Sequence, residues 1–155
     1  MIRQLRFLVV DDEPTSRAAL RKMLEGYGEV NEAAGGVEAV MLFRKAVTEK
    51  TPYHLITLDM IMPTMDGTVV LECIRGLEVV HHSMPKAKVL MVTGVNQLEM
   101  IKNTIRMGAE GYLLKPIEHA LLEAKVRELF NMPLTADQKG RLTYRSKRSE
   151  TAVRK

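Results

Sequence analysis

Asp11, Asp12, Asp59, Thr93 and Lys115 are the residues of this chain whose types and spacing suit one chemistry. Each stands where a short apolar run ends: Val9-Val10 before Asp11, Ile56-Thr57-Leu58 before Asp59, Met91-Val92 before Thr93, Leu113-Leu114 before Lys115. After Asp59 the chain is broken by Pro63 and by Asp66-Gly67, the pattern by which a buried strand hands one side chain to a surface crevice. Three carboxylates gathered in one crevice raise one another's pKa and oppose folding unless a cation joins them. A donor set of oxygens alone, with no His or Cys, favours a hard ion, Mg²⁺ above all, which keeps some waters and often shares a phosphate oxygen with the protein. Lys115 can neutralise phosphoryl charge as a point cation, and the Thr93 hydroxyl can donate a hydrogen bond to another phosphoryl oxygen. An Asp carboxylate is a nucleophile toward phosphorus, and a metal shared with the incoming group reduces their repulsion. The chemistry to expect is acyl-phosphate formation on Asp59. Singly, each residue has a plainer role: Asp59 as a cap or loop acid, Asp11-Asp12-Glu13 as acids at a helix N-terminus, Thr93 as an ordinary strand threonine.

For these side chains to meet, the apolar runs must be strands of one sheet. Residues 5–10, 29–33, 53–58, 88–92 and 112–114 read as five strands. Five helical patterns alternate with them. The first opens at Pro14 and carries Leu20, Met23, Leu24 and Tyr27; the second follows Gly35-Gly36 with Val37, Val40, Met41 and Val47. The third follows Asp66-Gly67 with Val69, Val70, Cys73, Ile74 and Leu77. The fourth, 97–107, has Leu98, Ile101 and Ile105 on one face, and the fifth, 117–130, turns Leu122, Val126 and Leu129 inward before Met132-Pro133. Such alternation predicts a doubly wound α/β domain, a parallel sheet covered on both faces with right-handed crossovers. Ligand crevices in these sheets lie at the carboxyl ends of the strands, so the reactive residues converge on one rim.

Composition sets the limits around that domain. At 155 residues and 46% hydrophobic content, the chain has room for one domain with a sizeable core and a tail, and too little for two. No segment approaches the roughly 20 apolar residues of a membrane span, and residues 1–6 lead into strand-like sequence without a signal-peptide order. A cytoplasmic protein with no membrane partner is expected. Cys73 is the only cysteine, which excludes an internal disulfide, and its apolar setting suits a small core residue better than a nucleophile. His54, His81, His82 and His119 show no metal-ligand spacing. The formal net charge of +4 divides into +5 for residues 131–155 and −1 for the rest. Residues 132–155 have few apolar side chains and are too few for a helix-turn-helix or winged-helix domain; a partly disordered or helical tail to a domain spanning 1–131 is expected. Its charge would attract nucleic acid or an acidic partner, but Tyr144 is its only aromatic, and nucleic acid is not expected as a partner.

Five segments, in this order and spacing, make the chain resemble the receiver domain of two-component response regulators. They are Val9-Val10-Asp11-Asp12-Glu13, Ala33-Ala34-Gly35-Gly36-Val37-Glu38-Ala39, Leu58-Asp59-Met60-Ile61-Met62-Pro63 with Met65-Asp66-Gly67, Val92-Thr93-Gly94, and Gly111-Tyr112-Leu113-Leu114-Lys115-Pro116. The resemblance spans about 5–130 and implies the flavodoxin-like strand order 2-1-3-4-5 for the five-stranded sheet with five helices. It implies Asp59 as the acceptor of a phosphoryl group from a sensor histidine kinase or phosphotransfer protein. Asp11, Asp12, Asp59 and the backbone carbonyl of Ile61 would hold Mg²⁺. Thr93 and Lys115 would be the catalytic partners, Thr93 also the switch hydroxyl and Tyr112 the aromatic that turns inward on activation. The Lys115-Pro116 bond would be cis. Phosphorylation would then alter the face made by the fourth helix, fifth strand and fifth helix, which would bind a downstream protein or a second copy. Such a protein is a switch assisting its own phosphorylation and dephosphorylation rather than an enzyme.

In the family, the side chains two positions after the phosphoacceptor and two after the switch threonine influence how water reaches the acyl phosphate. Here they are Ile61 and Val95, which cannot orient a water, so slow hydrolysis is expected. A haloacid-dehalogenase-type phosphatase would need a second Asp where Ile61 stands, and a flavodoxin-like electron carrier would not place Asp11-Asp12-Glu13 where a flavin phosphate binds. The remaining alternatives are a pseudo-receiver that acts by protein interaction without taking phosphate, and a receiver whose basic tail binds nucleic acid. The complete acid set argues against the first.

Overall fold

Alternate residues of each apolar run face opposite ways, and the strands therefore serve two cores at once. The computed structural model describes residues 2–130, 135–136 and 142–145. In chain order the elements are β1 (Ile2–Val10), α1 (Pro14–Leu24), β2 (Gly28–Ala33), α2 (Gly36–Thr48), β3 (Leu55–Leu58), α3 (Gly67–Val80), β4 (Lys88–Thr93), α4 (Leu98–Arg106), β5 (Gly111–Leu114) and α5 (His119–Phe130), followed by β6 (Thr135–Ala136) and β7 (Leu142–Arg145). Leu5, Phe7 and Val9 of β1, Leu55 of β3, and Leu90 and Val92 of β4 pack with Leu20 and Leu24 of α1 and Leu122 and Val126 of α5. The intervening Leu8, Val10, Ile56, Leu58, Val89 and Met91 pack on the other face with Phe43 of α2 and Val70, Leu71 and Ile74 of α3. Five strands run parallel in the order β2-β1-β3-β4-β5, as the resemblance implied.

Two helices bury only part of the stripe their sequence suggests. In α2, Val37 and Met41 are 51% and 67% exposed, while Ala39, Phe43, Ala46 and Val47 face the core. Val47, expected inward, is buried and Val40 packs against the same core, while Phe43 and the small alanines complete the buried face opposite Val70, Leu71 and Ile74 of α3. In α4, Leu98 and Ile105 are 62% and 44% exposed, and Ile101 is buried beside Thr104. Thr104 can be buried because its hydroxyl donates to the Ile101 carbonyl at 2.7 Å.

The tail departs from expectation where it is described. Residues 142–145, expected to be disordered or helical, form β7, antiparallel to β1 with Ile2 opposite Arg145, Arg3 opposite Tyr144 and Gln4 opposite Thr143; β6 pairs with β7 in turn. β1 accordingly begins at Ile2 rather than Leu5. Its first residues precede the register partners in β2 (Leu5 to Gly28) and β3 (Phe7 to Leu55), and the returning tail supplies their ladder. The remainder of the expectation for 132–155 lies outside the described residues.

Candidate functional site

The parallel register aligns the strand ends to within two residues. Val10 pairs with Leu58, Leu58 with Met91, and Thr93 with Leu114, so the residues following β1, β3 and β5 and the last residue of β4 reach the same rim. Backbone bonds continue the ladder past the strands: Asp59 N–H donates to the Val10 carbonyl at 3.0 Å, Asp11 N–H to Ala33 at 3.1 Å, and Lys115 N–H to Thr93 at 2.9 Å. The Lys115-Pro116 bond is cis, as the resemblance implied. Gly67 opens α3 directly over the β3 end, its N–H donating to the Met60 carbonyl at 2.8 Å; a Cβ there would lie 2.9 Å from Met60 Cα and closer still to the Asp59 carbonyl. Asp66 caps that helix, accepting from the N–H groups of Thr68 and Val69 at 2.9 and 3.2 Å.

Asp11, Asp12 and Asp59 come together, each offering a carboxylate oxygen within 4.8 Å of the others. Asp11 and Asp59 are buried and Asp12 is exposed. Lys115 Nζ stands between the two buried acids, 2.7 Å from Asp11 Oδ2 and 3.2 Å from Asp59 Oδ2. Burial pushes the Asp59 carboxyl up, the Lys115 ammonium pulls it down and the Asp11 carboxylate pushes it up again; it lies above the usual carboxylate range. For Lys115 burial opposes the charge, but the close contact with Asp11 and the attraction of both acids prevail and raise its pKa. One ammonium thus faces three carboxylates. Asp11 Oδ1 accepts from Glu13 N–H at 2.9 Å, whereas buried Asp11 Oδ2 takes no aligned hydrogen bond, its charge met only by the Lys115 contact. An excess of negative charge, an oxygen-only donor set and an under-satisfied buried carboxylate oxygen together fit a hard divalent cation.

Thr93 is buried at the end of β4, and its Oγ1 accepts the Val95 N–H at 3.2 Å. Ile61 N–H donates to the Asp59 carboxylate and lowers its pKa, while the Ile61 side chain is 62% exposed. Val95 is half-buried against the α2–α3 core. Tyr112 is 39% exposed on β5, where it lines a 470 Å³ apolar groove with Leu114, Ile117 and Leu121. His54, which the sequence left without a role, accepts the Arg6 N–H on Nδ1 at 2.9 Å. Sequence reasoning passed over Arg17, whose Nη1 donates to the Asp11 carbonyl at 2.8 Å; no local pattern announces a side chain six positions on turning back to that oxygen.

A five-stranded parallel α/β fold with acids at the ends of β1 and β3 and a lysine after β5 defines the receiver class, and the chain belongs to the response regulator receiver domain family, whose pattern it matches over residues 7–127. Protein CcdB of Bacillus subtilis (strain 168) is 35% identical over 125 residues, covering 79% of this chain and 95% of that protein. Among solved structures, the receiver domain of the histidine kinase CKI1 from Arabidopsis thaliana, as a D1050A mutant, has a TM-score of 0.74 and 27% identity over 84% of this chain and 92% of its own. The Vibrio cholerae chemotaxis protein CheY4 has a TM-score of 0.69 and 26% identity over 82% and 99%. A CheX-CheY-BeF3-Mg²⁺ complex from Borrelia burgdorferi has a TM-score of 0.70 and 27% identity over 81% and 89%. Among the described residues no helix is long and apolar enough to cross a membrane.

Proposed function

We propose that this protein is a phosphorylation switch of a two-component system in which Asp59 accepts a phosphoryl group from the phosphohistidine of a sensor kinase or phosphotransfer protein. The observation that carries this reading is the meeting of Asp11, Asp12 and Asp59 within 4.8 Å, with Lys115 Nζ 3.2 Å from the acceptor carboxylate. Asp11, Asp12, Asp59 and the Ile61 carbonyl would hold Mg²⁺, which when bound neutralises charge shared between the acceptor and the phosphoryl oxygens. The Asp59 carboxylate attacks phosphorus; the bond from the histidine nitrogen to phosphorus breaks and the bond from the carboxylate oxygen forms. Lys115 stays protonated, its raised pKa ensuring the charge, and turns from the acids to a phosphoryl oxygen. Thr93 leaves its local bond to Val95 N–H and donates its hydroxyl to another.

Movement of Thr93 toward the phosphoryl group would draw in the segment after β4 and leave room for Tyr112 to turn inward. The face carrying exposed Leu98, Ile105, Tyr112, Leu114 and Leu121 would then present a changed surface to a downstream protein or a second copy. The protein turns over no substrate of its own; it carries the phosphoryl group and loses it to water. The presence of every acid and of Lys115 favours this reading over a pseudo-receiver.

The test is incubation with a small phosphodonor and Mg²⁺, read by intact-mass spectrometry. A shift of one phosphoryl group is expected in the unmutated protein and none in Asp59→Ala or without Mg²⁺. An unmutated protein that takes no label would sink the reading.

A further inference from the structure

Asp12 is the exposed member of the acid cluster, and among the described residues no hydrogen bond or ion pair holds its carboxylate. Its direction therefore depends on its backbone. The peptide group between Asp11 and Asp12 is planar and contains both Cα atoms, so whatever fixes its carbonyl fixes the plane from which the Asp12 side chain departs. That carbonyl accepts from Arg17 Nη1 at 2.8 Å. Arg17, on α1, is braced in turn: its Nε lies 3.8 Å from Glu32 Oε1, and the other oxygen of Glu32 takes Arg21 Nη1 at 2.7 Å. Glu32 sits on β2 opposite Val9 of β1, and the next β2 residue, Ala33, receives the Asp11 N–H at 3.1 Å. A continuous strut thus runs from the sheet through a guanidinium to the Asp11-Asp12 peptide.

We propose that Arg17, braced by Glu32, is a positioning residue of the acid cluster: it sets the tilt of the Asp11-Asp12 peptide and so aims Asp12 at the point it shares with Asp11 and Asp59. This rests on the reading of the cluster as a Mg²⁺ site. Charge and position pull in opposite directions here, and their magnitudes separate them. A guanidinium near a cation site weakens cation binding by repulsion, but a single screened charge shifts affinity only by a few fold. Groups that orient metal ligands from outside the coordination shell carry roughly 10- to 100-fold of metal affinity. Position therefore outweighs charge, and removing Arg17 weakens Mg²⁺ binding although it removes a positive charge.

The experiment is calorimetric titration of Mg²⁺ into the metal-free full-length protein, unmutated and as Arg17→Gln, Arg17→Lys and Asp12→Asn, with circular dichroism and urea midpoints recorded for each. Arg17→Gln is expected to weaken Mg²⁺ about tenfold or more. Arg17→Lys keeps the charge but has one nitrogen for two partners, and falls between Gln and the unmutated protein; it carries the test if the Gln variant fails to fold. Tighter or unchanged binding in Arg17→Gln, with Arg17→Lys equal to the unmutated protein, leaves charge as the only effect and overturns the inference. Binding in the unmutated protein that disappears in Asp12→Asn keeps the metal reading intact in that case. Absence of binding in the unmutated protein overturns both.

Discussion

Asp59 carries a charge that its surroundings disfavour, since burial and the neighbouring Asp11 carboxylate outweigh the attraction of Lys115. A group whose folded-state pKa is raised adds stability that is complete below the unfolded pKa and is lost as pH rises through the folded one. Without metal, the protein is therefore expected to gain stability from this group on acidification through the carboxylate range. Asp59→Asn is uncharged at every pH and should be the more stable form near neutrality by about 1 kcal/mol, the scale of an ordinary single substitution. Urea midpoints measured across pH read both effects, and a less stable Asp59→Asn would contradict the balance of charges described. Two positions beyond Asp59, Ile61 leaves its side chain largely exposed, and half-buried Val95 packs against the core; neither offers water a hydrogen bond. Once formed, the acyl phosphate is expected to persist, and Ile61→Asn or Val95→Glu to shorten its lifetime about tenfold or more by orienting the attacking water. The decay of the phosphorylated mass with time checks this, and equal lifetimes would remove the proposed role of both side chains.

Among the elements, α3 and the turn between α4 and β5 are tied by one side chain. Arg75 of α3 donates to the Ala87 carbonyl at 2.9 Å and, through Nε and Nη2, to the Gly108 carbonyl at 3.1 and 2.7 Å. It also pairs with Glu110 at 3.0 Å and with Glu78, which is buried and accepts the Ala87 N–H at 2.7 Å. Gly108, at φ +104°, ends α4 in a conformation that suits glycine and leaves its carbonyl free for the guanidinium. Arg75→Ala would leave the Glu78 carboxylate buried without its cation, and an isolated buried charge is far costlier than the pair is stabilising. The expected loss is about 3 kcal/mol in chemical denaturation. Arg75→Ala/Glu78→Gln should recover part of it, because the second change removes the stranded charge. A single-mutant loss below about 0.5 kcal/mol, the size of a surface substitution, would show the clamp to be unimportant.

For the molecule as a whole, among the described residues both cores draw their buried side chains from residues 5–126, and β7 pairs with residues 2–4 at the end of β1 remote from Asp11. Deletion of 132–155 is expected to cost less than about 2 kcal/mol and to leave Asp59 able to take label. Denaturation and intact mass of the truncated chain check this; an unfolded product would place the tail within the domain. The fold and the rim were legible in the sequence because a strand buried on both faces is a continuous apolar run, and a parallel sheet delivers the residue that closes each run to the same side. Asp11, Asp59, Thr93 and Lys115 could be found that way, one strand end at a time. Other features depended on neighbours distant in sequence. Phe43 is buried where Met41 of the same helix is exposed, and Thr104, its hydroxyl bonded to the Ile101 carbonyl, is buried where Leu98 is exposed. Residues 142–145 pair as a strand with the start of β1, which has no register partner there in β2 or β3. Residue types and periodicity by themselves determined which elements form and which side chains end them. Only the tertiary structure decided which apolar residues of α2 and α4 are buried, that Lys115 bridges Asp11 and Asp59, and that Arg17 grips the Asp11-Asp12 peptide, since each is a contest among groups that the chain brings together only on folding.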